Sequence, residues 1–591
     1  MSTAPSTLPR PSRPPEQHAV GIGARPGSRL RRLATKGHAD LLLLVLVASL
    51  LNLVNLGING NANEYYSAAV SSMTQSWSNF FFGSFDPAGL QMVDKPPLAL
   101  WVQAASAKVF GFSTWSFLVP QALMGVATTV LVWDLVRRRF GRAAGLVAGL
   151  ALATTPTAVA VFRHNNPDAL LMLCATLALW ATVRAFETPH RTRWLVLAGV
   201  AVGLGFEAKM AAALLTVPAI VAAWLWVRPL GWGRSIRQLT AFGASAAAVG
   251  LAWPVAVWLT PAGSRPWVSG TDDNSIWSLI FGYNGLGRVL GQDGGPGGNT
   301  GGGPGGAGGS MFGGDTGILR LLNESLGSQG GWLLGLAAGS IAVLLVATRL
   351  RRHDPRTGFL IVTAGAFATT AVAFSFASGI FHPYYVSALA PFTAALMGAG
   401  LATMAGLRPA ESSMVAMPTS QAGTPATSGE QGAGEEPAAL ADQSAPQGGL
   451  AAVARAEFPA APRGGLWKDP ADPQATHDEA GSSAAMQPAS AAATADDTAP
   501  STAIRVVGGL ALVAGAVTEW VVLTDATQLG WLRPLLLAGT IGAGVGLVLS
   551  SSRRMRLSAV GVAAALLLVA PTVWAVQTPG HATSGTFPTG G

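Results

Sequence analysis

Asn59-Gly60-Asn61-Ala62-Asn63-Glu64-Tyr65-Tyr66, closed further on by Val93-Asp94-Lys95-Pro96-Pro97-Leu98, is the stretch on which the whole chain turns. It follows one apolar run, Asp40 to Gly57, and precedes many more. Carboxylates, a lysine, amides and aromatics gathered between such runs stand at the water edge of a bilayer. Working outward, apolar runs approach the ~20 residues a helix needs to cross the hydrocarbon, with short polar turns between them. The expected fold class is an all-α integral membrane protein with a large first extracytoplasmic loop.

Half of the residues are hydrophobic and 11% are charged. An ordinary soluble chain has about a quarter charged residues, so composition already excludes that class. The net charge of +8 comes from short basic clusters between the apolar runs. These read as topology and lipid-headgroup contact, and no nucleic-acid patch is in view. The single cysteine, Cys174, lies inside an apolar run, which excludes an intrachain disulfide or a cysteine metal cluster.

Residues 1–38 are rich in Pro, Ser and Arg and end in Arg29-Leu30-Arg31-Arg32, which predicts a disordered, basic, cytoplasmic N-terminus. The positive-inside rule then puts the 58–115 loop outside. Arg137-Arg138-Arg139, Arg191 with Arg193, Arg228 with Arg234, Arg349 with Arg351, and Arg553 with Arg554 all fall on the inner side of successive spans. About thirteen spans satisfy that rule. A membrane core over 39–405 is expected, with a second external loop at 260–330. That loop holds the glycine run 291–317, read as a linker or mobile lid; without a following Gly-Lys-Ser/Thr it is not a phosphate loop. A disordered cytoplasmic linker over 406–503, further transmembrane helices over 504–577 and an external tether over 578–591 complete the reading.

Ionisable groups are costly in a membrane, and several at one depth mark a functional site. The external face collects Glu64, Asp86, Asp94, Lys95, Arg163, His164, Asp168, Glu207, Lys209, His382, Tyr384 and Tyr385 from separate loops. Singly, each is explained as a snorkelling or capping residue. In Asp94-Lys95-Pro96-Pro97 the prolines fix an extended exit and hold an acid and a base at a rigid elbow. A lysine there suits a lipid-borne phosphate, with a local salt bridge as the plainer alternative. Asn165-Asn166-Pro167-Asp168 has the form of a helix start, and capping alone also accounts for Asp168. Lys209 stands where two helices meet outside. His382-Pro383-Tyr384-Tyr385 fits either a sugar-lining wall or the interfacial aromatic belt. No nucleotide-binding motif is present, so an external glycosyl donor has to be lipid-borne.

These residues resemble the GT-C class of polyprenyl-phosphate-sugar-dependent membrane glycosyltransferases, which includes the protein O-mannosyltransferases and the aminoarabinose transferase of lipid A. The resemblance rests on Asn63-Glu64-Tyr65-Tyr66, Asp94-Lys95-Pro96-Pro97-Leu98 with Trp101, and Arg137-Arg138-Arg139-Phe140-Gly141. Asn165-Asn166-Pro167-Asp168-Ala169-Leu170-Leu171, Gly203-Leu204-Gly205-Phe206-Glu207-Ala208-Lys209 and His382-Pro383-Tyr384-Tyr385 extend it. It is nearest to a bacterial, YkcB-like branch. The resemblance implies a GT-C fold in the plasma membrane and an inverting transfer of a mannose-, glucose- or arabinose-like sugar. The donor is a polyprenyl phosphate and the acceptor an extracytoplasmic glycan, lipid or protein. The catalytic base would be Glu64 or Asp94, because Asn63 stands where the family has an aspartate. Lys95, and with it Lys209, would hold the phosphate. Asn63, Tyr66, Arg163, His164, Asn166, Asp168, His382, Tyr384 and Tyr385 would bind substrate. No cofactor is assigned; a divalent metal is left open, with nothing in the sequence that indicates one. The branch normally continues into a soluble external domain, which is expected to be either absent or cut off here. A transporter or flippase for lipid-linked sugars is the alternative; paired repeats and midplane charges would mark it.

Overall fold

The structure, a computed structural model, describes residues 39–291, 313–407, 499–526, 528–583 and 585–591. The expected basic N-terminus, most of the glycine run and most of the 406–503 linker lie outside the described residues. The first span is helix α1 (Ala39–Leu53). It leads to α2 (Glu64–Met73), whose first turn is capped by Asn63: Oδ1 accepts from the N–H groups of Tyr65 (3.0 Å) and Tyr66 (3.4 Å). That cap supplies partners for backbone donors a helix start otherwise leaves open. The first loop ends in α3 (Leu98–Phe110), with Pro97 just before it. Then comes α4 (Thr114–Phe140), opened by a reciprocal Ser113–Ser116 cap and closed by Gly141 at φ 91°.

The next span is broken. α5 (Arg142–Ala153) and α6 (Pro156–Phe162) meet at 68°, because Pro156 cannot continue a helix across Thr154 and Thr155. The chain continues through α7 (Asp168–Glu187), α8 (Arg191–Lys209) and α9 (Val217–Val227). A second bent pair follows, α10 (Trp232–Gly250) and α11 (Ala252–Leu259), at 46°. At that break Glu207 Oε1 accepts from the Trp253 N–H (3.1 Å), so a carboxylate caps the second half. The remaining spans are α12 (Leu334–Thr348), α13 (Pro355–Phe376), α14 (Ala390–Ala405), α15 (Thr502–Thr524), α16 (Leu532–Leu549) and α17 (Arg553–Gln577).

Each expected span coincides with a helix or a bent pair. Among the described residues nine helices are long and apolar enough to cross a membrane, and eleven if each bent pair is one span. The expected thirteen are reached only by counting α8 and the short apolar segment Ala211–Val227 as well. The fold is therefore all-α and multi-pass.

Helices in lipid gain little from hydrophobic exclusion and associate through small residues that let backbones approach. Here a Cβ at Gly199 would fall 2.2 Å from Phe242 O, which locks α8 against α10. Gly339 faces Ala511 and joins α12 to α15 in the same way. Every residue of α14 is buried, and Gly398 and Gly400 press on Ala148 and Ser340. This Ala/Gly helix is the post around which the bundle packs.

Outside the bundle, a two-residue parallel ladder pairs β1 (Gln91–Met92) with β2 (Trp267–Val268). Ser269 adds a hydroxyl bond to Met92 O. The segments around Met92 and Val268 are thereby stitched together beside Asp94.

Candidate active site

At Asp94-Lys95-Pro96-Pro97 the acid and the base pair with each other, the local salt bridge named as the plainer alternative. The Lys95 Nζ lies 2.8 Å from Asp94 Oδ2 and 3.2 Å from Asp94 O. Asp94 is fixed from three sides: its N–H donates to the Tyr65 hydroxyl (3.1 Å), its carbonyl accepts from Asn284 Nδ2 (2.8 Å), and Tyr283 bonds its carboxylate. Burial works to raise the Asp94 carboxyl, but Lys95, Arg288 and the Tyr283 hydroxyl outweigh it and hold it below the ordinary value. Burial pushes Lys95 down to about 8; the positive charges of Arg288 and Lys209 push the same way, and Asp94 opposes them.

A second lysine–aspartate pair stands beside the first. Lys209, the last residue of α8, places Nζ 2.7 and 2.8 Å from the two oxygens of Asp168, the first residue of α7. The same Nζ lies 3.7 Å from the Tyr385 ring centre, a close cation–π contact. Tyr385 meets Tyr384 edge-on (5.0 Å), and His382 stacks on Tyr384 (5.6 Å). Burial, then Lys209, Arg288 and Lys95, push His382 down to about 3, so the ring is neutral. Tyr66, buried in the floor, feels Asp94, Tyr385 and Asp168 together. Burial and those neighbours raise its phenol and keep it a neutral donor.

Arg288 completes the cluster. It comes from the segment that follows β2, with its guanidinium 4.7 Å from the Tyr283 ring centre and an N–H to Ile380 O (3.3 Å). Among the described residues no carboxylate forms a salt bridge with it. Lys95, Lys209 and Arg288 therefore exceed Asp94 and Asp168 by one positive charge, an arrangement suited to one more anion.

Other expected site residues sit elsewhere or do other work. Arg163 is fully buried and its guanidinium donates to Leu51 O (3.1 Å), Val54 O (2.7 Å) and Asn55 O (3.1 Å). It closes the open carbonyls at the end of α1 rather than facing the cluster. His164 and Asn166 are buried behind it, and the Asn166 amide has no hydrogen-bond partner among the described residues. Asn63 serves as the α2 cap and donates its N–H to Asn165 Oδ1 (2.8 Å). Glu64 is exposed on α2 and has no ion pair among the described residues. Glu207 is engaged at the α10–α11 break. Among the described residues, no three His, Cys, Asp or Glu side chains form a metal-ligand group.

The cluster also contains Tyr65, which the sequence offers only as part of the first-loop motif, and Tyr283, Asn284 and Arg288, which no motif marks. The only signal for the last three was a tyrosine and an arginine in an expected external loop. The segment 578–591, expected as an external tether, packs beside the cluster. Thr583 bonds Asn59, and the Phe587 ring centre lies 4.6 Å from that of His382.

The charged, aromatic-walled cluster thus lies at one edge of an all-α, multi-pass membrane bundle, and it includes the Asp94–Lys95 pair and the Asp168–Lys209 pair. Residues 94–258 match the family described as dolichyl-phosphate-mannose-protein mannosyltransferase. YycA and YkcB of Bacillus subtilis (strain 168), whose names propose mannosyltransferases, are each 35% identical to this chain. The matches cover 62% and 61% of this chain, and 64% and 61% of those proteins, so the chain spans less than two thirds of their length. A crystal structure of ArnT from Cupriavidus metallidurans bound to undecaprenyl phosphate is similar over 92% of this chain and 78% of its own. Its TM-score is 0.47 at 16% identity.

Proposed function

We propose that this chain transfers a sugar, mannose first among the candidates, from a polyprenyl phosphate to an acceptor on the extracytoplasmic face of the plasma membrane. The observation that carries the reading is the surplus of positive charge among Lys95, Lys209 and Arg288 beside a neutral aromatic wall. Relatives with mannosyltransferase names support the sugar. A relative named as a polyprenol-phosphate-mannose–protein mannosyltransferase, 25% identical over 28% of this chain, supports the donor class. The N-terminus is then cytoplasmic, and the site opens opposite the arginine clusters.

In this reading Lys95 and Arg288 hold the donor phosphate, and Lys209, Asp168, His382, Tyr384 and Tyr385 line the sugar. The acceptor hydroxyl gives its proton to a carboxylate as its oxygen attacks the anomeric carbon. The bond from that carbon to the phosphate oxygen breaks, and its electron pair leaves with the polyprenyl phosphate. Lys95 and Arg288 stabilise the charge that grows there. Inversion puts the base on the sugar face opposite the leaving phosphate. Asp94 touches the phosphate-holding lysine at 2.8 Å and is held below the carboxylate range, so it is badly placed and weakly basic. Glu64, exposed and without an ion pair among the described residues, is assigned as the base. Asp94 then orients Lys95.

Purified protein in proteoliposomes tests the class. With labelled polyprenyl-phosphate-mannose supplied, loss of label from the lipid only when acceptor is present supports transfer. Movement of intact labelled lipid between leaflets, without consumption, overturns it in favour of a flippase.

A further inference from the structure

The chain's last residues are held across the site by bonds that nothing in the transfer chemistry requires. Asn55 Nδ2 donates to Pro579 O (3.0 Å). Thr583 gives both its N–H (2.9 Å) and its hydroxyl (3.1 Å) to Asn59 Oδ1. Gln329 accepts the Gly590 N–H at Oε1 (2.9 Å) and returns Nε2 to Gly590 O (3.4 Å). At Gly590 a Cβ would fall 2.3 Å from the Pro156 backbone, so the tail is seated on α6 where only glycine fits. These anchors come from the end of α1, the first loop and the segment before α12. Between them hangs Phe587, partly exposed, with its ring centre 4.6 Å from that of His382 at an angle of 34°.

His382 continues the surface to Tyr384 and Tyr385, and Tyr385 covers Lys209. A neutral aromatic wall that ends at a cation cluster suits a molecule with a ring at one end and an anion at the other. Sugar sites have this composition: apolar ring faces that meet C–H groups, with a few polar groups fixing orientation. We infer that Phe587 is a sugar-positioning residue, the outer end of the wall against which the sugar of the lipid-linked donor rests. This rests on the glycosyl-transfer reading. It adds that specificity for the sugar depends on a segment far from the first loop in sequence.

The test measures binding, separately from turnover, on the full chain in detergent. Undecaprenyl phosphate and undecaprenyl-phosphate-mannose are titrated against wild type, Phe587→Ala, Phe587→Tyr and Gly590→Val, following intrinsic tryptophan fluorescence. Phe587→Ala is expected to weaken the mannosyl lipid about tenfold while leaving the bare lipid phosphate within about twofold, and Phe587→Tyr to restore it. Gly590→Val, which unseats the tail with Phe587 intact, is expected to give the same selective loss. Equal loss of both lipids in Phe587→Ala, or no loss of either, overturns the assignment. If wild type binds neither lipid, the transfer reading falls first and this inference falls with it.

Discussion

Helix α7 carries a carboxylate at each end, and the two ends are handled in opposite ways. Asp168 begins the helix, nearly fully buried, and takes a single cation, Lys209, at 2.7 and 2.8 Å. Glu187 ends it, in contact with Arg184 (2.5 Å), Arg139 (3.2 Å) and Arg138 (3.8 Å). Helix dipoles explain the difference. An acid at a helix start and a base at a helix end each sit at their favourable pole, and the Asp168–Lys209 pair joins the start of α7 to the end of α8. Glu187 sits at the unfavourable pole and is held by arginines recruited from α4 as well as its own helix. The Asp168 end is thus a tight, locally balanced frame to which Arg288 and the Lys95–Asp94 pair together add one positive charge. The far end is a wide, arginine-rich collar. One end is suited to a further anion; the other gathers three arginines around one carboxylate.

The largest expected effect comes from removing that added charge. Lys95→Ala abolishes transfer and weakens undecaprenyl phosphate binding at least about a hundredfold, while the detergent-solubilised protein keeps its unfolding temperature. Normal donor binding in this variant would mean that the two ends of α7 do not differ in the way proposed. Next in size, Glu64→Gln lowers kcat by about 10²–10⁴ with donor affinity unchanged, the range for loss of a general base. Asp94→Asn instead weakens donor binding, because it releases Lys95. An interchange of these two phenotypes would transfer the base to Asp94.

Much of this frame was legible in the sequence, for reasons that can be stated. Asp94-Lys95-Pro96-Pro97 announced itself because two prolines forbid a helix where two charges stand. Asp168 and Lys209 stood out because a charge placed between apolar runs is costly and is seldom kept without a task. Arg163 looked the same by that criterion. Only the structure shows its guanidinium turned to the carbonyls ending α1, across more than a hundred residues of chain. Arg288 and Tyr283 stayed hidden because nothing local marks them. Their meaning lies in contacts with Asp94, made when β1 pairs with β2. The tail was misjudged for the same reason, since Thr583 meets Asn59 at a separation of 524 residues. The breaks at Thr154–Thr155 and Gly250–Leu251 left only a proline and a glycine as signs, and both residues also occur in unbroken spans.

A smaller and graded effect follows from Lys95 lying near 8. Below that pH the side chain is cationic and holds phosphate; above it the amine is neutral and the attraction is lost. Because bound phosphate favours the charged form, donor affinity falls as pH rises past about 8, approaching about tenfold per unit. His382, already neutral from about 3 upward, contributes nothing to this limb. Lys95→Arg, which stays charged throughout, should flatten the profile even if its affinity is lower. A limb that persists in Lys95→Arg would assign the titration to another group.

The smallest effect is expected at the far end of α7, and it is the sharpest check on the contrast. Glu187→Gln removes the acid around which Arg138, Arg139 and Arg184 gather. These groups are partly exposed, and their mutual repulsion is screened by water and salt. The loss should therefore be about 1 kcal/mol of stability, read as a small drop in unfolding temperature that grows at low ionic strength. Donor affinity and kcat should stay within about twofold of wild type, because roughly 30 Å of helix separates Glu187 from Asp168. A comparable loss of donor binding in Glu187→Gln would show that α7 transmits charge or strain along its length. The two ends would then be one device.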